Sequence, residues 1–320
     1  MLNELKSVFG GKKISVVTCV YNEEDTVREV YEAIKKTFSG LSEEYEYEHI
    51  FMDNCSKDDT FKILKEIASK DANIKIVTYS KNFGPINNEF SGFKYVSGDA
   101  VVCFEGNLKD PAELIPVFIK HWEEGYDVVY GVRKKTNDNF LMSFMRKTFY
   151  KLCSALSEEP LPLNAGVFRL VDRKVVDELI KLDDYKPYVR GLITTIGFRQ
   201  IGINYERKAR PHGQSKSNLT YLIDFAINAF ISYSIIPIRL CTYFGIILAA
   251  LSILIALIYT VIKLFFWNIQ APGIATVIIL ILFFSGIQMF FLGVIGEYIG
   301  AIHSQVRKKP FIVVKEKINI

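Results

Sequence analysis

The sequence lacks the cysteine and histidine patterns that mark zinc sites and disulfide frameworks. Its five cysteines stand alone, no Cys-x-x-Cys pair occurs, and no histidine lies at ligand spacing. Free thiols in a reducing compartment are therefore expected. Strong charge of one sign is also missing, because 39 basic and 35 acidic side chains leave a net charge of only +4. That balance argues against a nucleic-acid partner and suits an anionic lipid surface better.

An apolar leader is absent as well. Residues 1–13 carry charges and glycines but no hydrophobic core of a signal peptide, so the first part of the chain is expected to stay in the cytoplasm. What the chain does contain is an uneven distribution of apolar residues. Half of its residues are hydrophobic although 23% are charged, and the apolar excess lies between Arg239 and Glu297.

The segment from Lys13 to about Arg207 alternates short apolar runs with stretches of helical periodicity, which is the pattern of βαβ units. Each run is nearly continuous in apolar residues, as expected for strands covered by helices on both faces. The predicted fold class is therefore α/β, with a doubly wound, largely parallel sheet. The predicted strands are Ile14 to Val20, His49 to Asp53, Ile74 to Tyr79, Ala100 to Phe104 and Asp127 to Tyr130. The predicted helices are Asp25 to Phe38, Asp59 to Ser69, Asn87 to Val96, Pro111 to Trp122 and Phe140 to Leu156.

Polar side chains follow four of these strands. In a doubly wound sheet the ligand binds outside the carboxyl ends of the strands, so these clusters are expected to meet at one edge. Amides and carboxylates there can hold a nucleotide, and a short acidic pair can chelate a hard metal ion through oxygen. The clusters are Tyr21-Asn22-Glu23, Asp53-Asn54-Cys55-Ser56, Lys81-Asn82-Phe83-Gly84 and Glu105-Gly106-Asn107.

Two uncharged stretches of 23 residues, 240–262 and 274–296, lie in the apolar part of the chain. Each is long enough to cross a hydrocarbon core of about 30 Å. They are separated by Lys263 and a ten-residue loop, Leu264 to Gly273, that carries no charge, whereas Arg239 precedes the first stretch and a basic run, Arg307 to Lys309, follows the second. This asymmetry predicts a transmembrane hairpin with both ends in the cytoplasm. A buried helical hairpin of a soluble protein is the alternative.

A basic stretch that contains Arg207, Arg210 and Lys216 precedes the hairpin, and the segment from Leu219 to Ile236 has apolar residues at mixed helical spacing. We interpret this segment as an interfacial amphipathic helix, and a helix packed on the domain is the alternative. The predicted organisation is a cytoplasmic domain over residues 1–210, a juxtamembrane helical region over 211–238, the hairpin over 239–300 and a cytoplasmic tail over 301–320.

The order of the motifs along the chain resembles that of a known family. The first matching stretches are Val20-Tyr21-Asn22-Glu23-Glu24, Asp53 with Ser56, Asp58 and Thr60, Lys81-Asn82-Phe83-Gly84, and Leu108 with Asp110-Pro111. The later ones are Gly125 to Arg133, Phe168-Arg169-Leu170, Arg190-Gly191-Leu192, Gly213-Gln214-Ser215-Lys216 and Gly293 to Gly300. With these motifs the sequence resembles the polyprenyl-phosphate glycosyltransferases, the dolichol-phosphate mannose synthase and bactoprenol glucosyltransferase group of glycosyltransferase family 2.

The resemblance implies a Rossmann-like GT-A fold and an inverting transfer of a sugar from a nucleotide sugar to a polyprenyl phosphate (undecaprenyl or dolichyl phosphate), for cell-envelope glycan or protein glycosylation. It also implies a multi-pass protein of the inner (plasma) membrane with its catalytic domain on the cytoplasmic face. The implied partners are the nucleotide sugar, the polyprenyl phosphate and membrane lipids. A homo-oligomer and a flippase partner are further expectations, and nucleic acid is not expected.

The resemblance also assigns roles to individual residues. Those implied in catalysis are Glu105, Asn107 and Arg133. The nucleotide sugar would be held by Cys19, Tyr21, Glu23, Asp53 and Asn82. Fixed cations suit phosphate groups, and the donor diphosphate or lipid phosphate would be bound by Arg133, Arg190, Arg207, Arg210 and Lys216. Glu105 and Asn107 would be the ligands of Mg²⁺ or Mn²⁺.

Several acids of the family are missing from this chain. The Asp-x-Asp metal motif is replaced by Glu105-Gly106-Asn107, which weakens the expectation of a metal because one of the two ligands is neutral. Asn54 and Asn164 stand where the family has acids, and Pro85 replaces a frequent lysine. Val167 occupies the position of the family's candidate catalytic base, and valine cannot accept a proton.

Two interpretations of this loss stay open. A lipid phosphate has a second pKa of about 6, so it is largely ionised near neutral pH and needs little help from a base. The chain is then a working enzyme with an altered donor preference. Alternatively, it is a catalytically weak scaffold that binds nucleotide and lipid. A processive polysaccharide synthase is disfavoured, because the sequence has no Gln-x-x-Arg-Trp motif and only two predicted spans.

Overall fold

The computed structural model forms two compact units, a sheet domain, to which residues 311–320 belong, and a pair of long helices. The residues that it describes are 11–41, 44–134, 165–182, 187–207, 236–265, 273–307 and 311–320.

One mixed sheet forms the centre of the sheet domain. Its strands are β1 (Lys12–Val20), β2 (Tyr45–Asp53), β3 (Ile74–Tyr79), β4 (Ala100–Glu105), β5 (Val128–Arg133), β6 (Ala165–Asp172), β7 (Gln200–Tyr205) and β8 (Val314–Ile318). Their order in space is β7-β5-β6-β4-β1-β2-β3-β8. The neighbours β4, β1, β2 and β3 are parallel, whereas β6 runs antiparallel to β4 and β5. The predicted doubly wound α/β sheet is confirmed, with this antiparallel insertion.

Helices cover both faces of the sheet. They are α1 (Val27–Ser39), α2 (Thr60–Ala68), α3 (Pro85–Gly92), α4 (Ile115–Glu123), α5 (Arg173–Lys181) and α6 (Val189–Ile196), with a short 3₁₀ turn, Ala112–Leu114, before α4. Helices α1, α2 and α4 pack into one hydrophobic core, and α3, α5 and α6 pack into a second. Because both faces are covered, the central strands are buried, which explains their continuous apolar runs.

The boundaries of β1, β2, β4 and β5 differ from the predicted ones by a few residues, whereas those of β3 are the predicted ones. The largest difference is in β2, which begins at Tyr45 instead of His49, because its first residues alternate exposed and half-buried at the end of the sheet. Helix α3 begins at Pro85, since proline suits the first turn of a helix, and it ends at Gly92 instead of Val96.

No strand or helix is predicted between Leu156 and Arg207, yet β6, α5, α6 and β7 lie there. The sequence of β6 contains Arg169, which is buried, so its pattern does not identify a strand. The predicted helix from Phe140 to Leu156 lies outside the described residues, as does nearly all of the predicted amphipathic segment, Leu219 to Ile236.

The final residues return to the sheet and close its edge at β3. Strand β8 pairs antiparallel with β3, and the pair includes Val77 opposite Lys317. Asn319 Nδ2 donates to the carbonyl oxygens of Ala68 at 3.1 Å and Ile74 at 2.8 Å. A strand that covers an exposed edge also protects it from pairing with another molecule.

The second unit consists of α7 (Ile236–Phe265) and α8 (Ile274–Val306). Both are long and apolar enough to cross a membrane, with candidate spans Ile238–Ile262 and Ile279–Val306. Their large apolar side chains are mostly exposed, which suits contact with lipid better than with water. The rings of Phe244 and Phe291 meet between the two helices at 5.9 Å. The predicted spans lie within these helices, and α8 continues beyond residue 296.

Candidate active site

The carboxyl ends of the parallel strands meet at one edge of the sheet. In the register of β1, Cys19 lies between Met52 of β2 and Glu105 of β4, and Val20 is paired with Asp53. The predicted nucleotide-binding residues Cys19 and Asp53 therefore stand on the same edge as Glu105. Burial raises the pKa of the Cys19 thiol, so that side chain is neutral near neutral pH.

Asp53 is held in one orientation at the end of β2. Its side chain is buried, its Oδ2 accepts a hydrogen bond from Thr78 Oγ1 at 2.6 Å, and its Oδ1 accepts one from the Ser56 backbone N–H at 3.1 Å. A carboxylate oxygen has two lone pairs, so Asp53 can still accept a further donor. Its nucleoside-binding role stays a prediction that this geometry permits.

The loop after β1 is tied to the loop after β2. The Asn22 backbone N–H donates to Ser56 Oγ at 3.0 Å, and the Glu23 backbone N–H donates to Thr60 Oγ1 at 2.8 Å. Asn22 has a φ of 53°, a conformation that asparagine tolerates better than most residues. The predicted residues Tyr21 and Glu23 are thus on a loop whose backbone is fixed by its neighbour.

Asparagine side chains join the loops after β2 and β3. Asn82 Oδ1 accepts from Asn54 Nδ2 at 3.0 Å and from the Gly84 backbone N–H at 2.8 Å. Asn54 Oδ1 in turn accepts from the Phe83 backbone N–H at 2.8 Å. An aspartate at position 54 has no amide hydrogen for Asn82, so the asparagine that replaces the family's acid has a structural role.

Glu105 lies between two arginines. Arg133 Nη2 donates to Glu105 Oε1 at 3.1 Å, and Arg207 Nη2 donates to Oε2. The same Oε2 accepts from Asn107 Nδ2 at 2.7 Å, and Asn107 Oδ1 accepts from the Lys109 backbone N–H at 3.2 Å. The side chains of Glu105 and Arg207 are 19% and 17% exposed, so this ion pair is largely shielded from water.

A second carboxylate lies beside this ion pair. Asp110 Oδ1 accepts from Arg207 Nε at 3.2 Å and from the Tyr205 hydroxyl, and the Tyr205 oxygen accepts from Arg133 Nε at 3.5 Å. Asp110 is buried, and its Oδ2 has no hydrogen-bond partner within the described ranges. We term Arg133, Arg207, Glu105, Asp110 and Tyr205 the arginine cluster.

The pKa values of the two acids of the arginine cluster are shifted in opposite directions. Burial raises the pKa of Glu105, but Arg207 and Arg133 outweigh burial and hold that pKa below its ordinary value. Burial raises the pKa of Asp110, and the charge of Glu105 adds to the rise. Glu105 is therefore the firmly ionised partner of the two guanidinium groups.

Two glycines make room for the cluster. A Cβ atom on Gly166 would lie 2.4 Å from Arg133 Nη2, and one on Gly131 would lie 2.6 Å from a ring carbon of Tyr205. Both distances are shorter than nonbonded atoms allow. The backbones of β5 and β6 thus form the surface on which Arg133 and Tyr205 lie.

A buried ion pair supports the start of β6. Arg169 Nε donates to the Val167 carbonyl at 3.1 Å and Arg169 Nη2 to the Gly166 carbonyl at 2.8 Å. The same Nη2 lies 3.7 Å from Glu89 Oε1. Burial raises the pKa of Glu89 and lowers that of Arg169. Glu89 of α3 thus places a largely buried carboxylate beside Arg169 of β6.

The remaining predicted cations are only partly described. Arg190 is at the start of α6, with its guanidinium 6.0 Å from the centre of the Tyr188 ring, and its charge lowers the pKa of Glu105. It is therefore within electrostatic range of the arginine cluster. Arg210 and Lys216 lie outside the described residues.

The side chains of Glu105 and Asn107 are not oriented to bind a divalent cation. Mg²⁺ and Mn²⁺ need several oxygen ligands turned toward one point. Both Glu105 oxygens accept from guanidinium groups, and Asn107 turns its amide nitrogen, instead of its carbonyl oxygen, toward Glu105. Across the described ranges, no three His, Cys, Asp or Glu side chains form a metal-ligating group.

The sequence does not identify four residues of this site as functional. Asp110 belongs to a family motif, but its burial and its contact with Arg207 are visible only in three dimensions. Tyr205 ends a strand that the sequence does not predict. Glu89 and Arg169 form a pair between a helix and a strand that are distant in the sequence, and nothing in the local pattern links them.

Comparison with known proteins identifies the family. Residues 15–180 match the model of glycosyl transferase family 2, and residues 236–302 match the GtrB C-terminal hairpin. The chain is 36% identical to the glycosyltransferase YkcC of Bacillus subtilis, over 96% of this chain and 94% of that protein. It is 33% identical to the prophage-derived bactoprenol glucosyl transferase of Shigella flexneri, over 95% and 98% of the two chains.

Among solved structures, similarity extends to the glucosyl-3-phosphoglycerate synthase of Mycobacterium tuberculosis in complex with Mn²⁺, UDP and glucosyl-3-phosphoglycerate. That similarity has a TM-score of 0.49 and 21% identity, over 72% of this chain and 82% of the other. The family model covers more than half of the chain, and the relatives are similar along almost its full length. The protein is therefore a GT-A glycosyltransferase of family 2 with a GtrB-type C-terminal hairpin.

Proposed function

We propose that this enzyme transfers a sugar from a nucleotide sugar to a polyprenyl phosphate at the cytoplasmic face of the plasma (inner) membrane, with inversion at the anomeric carbon. The observation that carries the proposal is the arginine cluster at the carboxyl ends of the strands, in a chain that also has two helices of membrane-spanning length. The bactoprenol glucosyl transferases that align with 95% of this chain support a polyprenyl phosphate acceptor.

The connectivity of the chain supports the proposed membrane topology. The helices α7 and α8 are preceded by the sheet domain, and the chain then returns to the same sheet as β8. Two crossings bring the chain back to the side from which it left. Basic residues at both ends, Arg239 and Arg307, support a cytoplasmic location for these ends. Both observations support the proposal of a multi-pass membrane enzyme whose site shares a compartment with nucleotide sugars.

The reaction needs fixed positive charge more than it needs a base. An oxygen of the lipid phosphate attacks the anomeric carbon, and the bond from that carbon to the donor diphosphate breaks, so that the electron pair leaves with the nucleoside diphosphate. The attacking phosphate is already largely ionised near neutral pH, since its second pKa is about 6. Valine at position 167 is compatible with this mechanism. Arg133, Arg207 and Arg190 are the cations that can bind the diphosphate and the lipid phosphate.

The direct test uses the purified full chain in detergent with undecaprenyl or dolichyl phosphate and a panel of UDP- and GDP-sugars. A lipid-linked sugar is expected with at least one donor. Arg133→Gln should reduce its formation by about 100-fold, because a charge-assisted contact to the diphosphate is lost. Arg28→Gln, which removes only an exposed pair with Glu66, is the matched control and should leave the rate unchanged. Absence of product with every donor would overturn the proposal.

The scaffold alternative makes a different prediction. It expects nucleotide binding without turnover, and it expects the double substitution Asn107→Asp with Val167→Asp to create activity. If the unmodified chain forms product and the double substitution reduces it, the scaffold alternative fails. A homo-oligomer and a flippase partner are separate predictions, which cross-linking in native membranes can test.

A further inference from the structure

The position of Arg207 between two carboxylates has a consequence for the cofactor. Its Nη2 donates to Glu105, and its Nε donates to Asp110 at 3.2 Å. One guanidinium group therefore joins two acids at the edge where the sheet binds its ligand. In metal sites of carboxylates, a divalent cation joins acids in this way.

Asn107 is suited to this arrangement and unsuited to a metal site. Its Nδ2 donates to Glu105 Oε2 at 2.7 Å while its Oδ1 accepts from the Lys109 backbone N–H at 3.2 Å. If the Asn107 amide were rotated by 180°, its Oδ1 would face the Glu105 carboxylate, which is also an acceptor, and its Nδ2 would face the Lys109 backbone N–H, which is also a donor. These two contacts therefore fix the orientation of the amide. An aspartate at this position would face Glu105 as a like charge unless a cation stood between them. The asparagine removes that need.

The electrostatic balance of the cluster opposes a further double positive charge. The two guanidinium groups of Arg133 and Arg207 already offset the charges of Glu105 and Asp110, and Arg190 adds to the positive potential. Glu105 Oε2 already accepts from Arg207 and from Asn107, so a divalent cation at that oxygen would have to displace one of these donors, and at Oε1 it would stand beside the Arg133 charge. Asp110 Oδ2 makes no hydrogen bond with the described residues, but a single carboxylate oxygen does not supply the several ligands that Mg²⁺ or Mn²⁺ requires.

We propose that Arg207, together with Arg133, takes the place of the divalent cation in this enzyme, so that guanidinium groups alone bind the donor diphosphate and stabilise its departure. In the resting state Glu105 holds the two arginines at the site. When the nucleotide sugar binds, the diphosphate oxygens accept from the same N–H groups, which suit paired phosphate oxygens in a planar, forked geometry. This inference rests on the proposed function for the identity of the leaving group.

Binding of nucleoside diphosphate tests the inference without the lipid reaction. Titration calorimetry measures the affinity of the full chain in detergent for UDP and for GDP, with EDTA and with excess Mg²⁺ or Mn²⁺. The affinity for the nucleotide that binds is expected to be the same within about twofold in EDTA and in metal, which is a negligible free-energy difference. An affinity that falls about tenfold or more in EDTA and returns with Mn²⁺ would overturn the inference.

Mn²⁺ itself supplies a second readout, because bound and free Mn²⁺ differ in their electron paramagnetic resonance signals. No binding is expected below millimolar Mn²⁺ in the unmodified chain, measured without nucleotide because a free nucleoside diphosphate itself binds Mn²⁺. Combining Asn107→Asp with Arg207→Gln restores two acids and removes the competing charge, so the double variant is expected to bind Mn²⁺ and to bind nucleotide more tightly in its presence. Micromolar Mn²⁺ binding by the unmodified chain would contradict the inference.

Single substitutions of Arg207 distinguish the loss of its charge from a loss of folding. Arg207→Gln should weaken nucleotide binding by about 10-fold to 100-fold in EDTA, and Arg207→Lys should retain part of the affinity because it keeps the charge without the fork. Lys65→Gln, which removes an exposed pair with Glu316 and a cation–π contact with the Phe61 ring, is the control and should bind nucleotide like the unmodified chain. Thermal unfolding identifies any variant that fails to fold. If folded Arg207→Gln binds nucleotide as tightly as the control, the inference is wrong.

The two proposals fail in distinguishable ways. Metal-independent nucleotide binding without any lipid-linked product would refute the proposed function and leave the role of Arg207 supported. Product formation that is abolished by EDTA and restored by Mg²⁺ would support the proposed function and refute the role of Arg207 as a substitute for the cation.

Discussion

Glu89 of α3 and Arg169 of β6 form an ion pair in the interior of the sheet domain, with Arg169 Nη2 3.7 Å from Glu89 Oε1. Their side chains are 15% and 4% exposed. The arginine also donates to the carbonyl oxygens of Gly166 and Val167. The pair therefore holds the first residues of β6, and Gly166 is in turn the residue against which Arg133 lies.

Glu89→Gln is expected to destabilise the protein by about 3 kcal/mol, because it leaves the buried Arg169 charge without an opposite charge beside it. Chemical unfolding of the full chain in detergent, followed by tryptophan fluorescence, measures this. Glu66→Gln removes an exposed pair with Arg28 and should cost less than about 1 kcal/mol. Equal, small effects of the two substitutions would show that Glu89 is protonated in the folded protein.

Gly166→Ala is expected to reduce turnover far more than stability. The new Cβ would lie 2.4 Å from Arg133 Nη2, at the end of a long side chain that can move away. Movement removes Arg133 from Glu105 and from the donor diphosphate, so kcat/KM should fall by about 10-fold or more. Gly40→Ala is the control, since its Cβ would meet only ordinary contacts at 3.6 Å. A loss of folding instead of turnover would contradict this expectation.

The sequence predicts the parallel half of the sheet well, for a physical reason. Strands such as β3 are covered by helices on both faces, so most of their residues are apolar. Such a nearly continuous apolar run can be recognised in the sequence without a structure. The polar residues that end these strands are predicted with them. The position of Glu105 beside Cys19 follows from strand register alone.

The rest depends on contacts between distant residues. Strand β6 contains the buried Arg169, whose charge is tolerated only because Glu89 is packed against it. The charged residues of β8 interrupt any apolar run, so the sequence does not identify this strand. β8 pairs with β3 because β3 would otherwise be an unpaired edge strand of the sheet. The grouping of Arg207 with Asp110 brings together residues that are 97 positions apart. Local patterns carry no information about such pairs.

Because of Glu48, the stability of the sheet domain should decrease as the pH falls into the acid range. Burial raises the pKa of its carboxyl, but hydrogen bonds from Lys75, Ser15 and Ser97 outweigh burial and lower the pKa from 4.5 to about 2. The unfolded chain then takes up a proton at higher pH than the folded one. The stabilisation is complete above pH 4.5 and is lost as the pH falls from 4.5 through 2.

Comparison of Glu48→Gln with the unmodified chain isolates this effect. The variant is expected to be less stable by on the order of 3 kcal/mol near neutral pH, and the difference should shrink as the pH falls below 4.5. Unfolding midpoints measured over this range in detergent give the difference. The exposed Glu66→Gln serves as the matched control, with a small difference at every pH. A difference for Glu48→Gln that does not change with pH would contradict the assignment.

Phe311 is expected to be the residue that anchors the returning C-terminal strand. Its ring meets that of Phe90 of α3 at 5.6 Å, and Lys94 Nζ lies 5.3 Å from its centre. Phe311→Ala should destabilise the protein by about 2 kcal/mol, less than for a fully buried phenylalanine because the side chain is only partly buried. Hydrogen exchange of the β3 and β8 amides should accelerate with it, since β8 would detach from the edge.

Val313→Ala is the control for this expectation. The Val313 carbonyl accepts from the Ser80 backbone N–H at 3.0 Å, but its side chain is 43% exposed, so the substitution keeps the backbone pairing and removes little buried area. It should cost less than about 1 kcal/mol and leave exchange at β3 nearly unchanged. Equal effects of both substitutions would mean that strand pairing, and not the Phe311 contact, holds the end of the chain on the sheet.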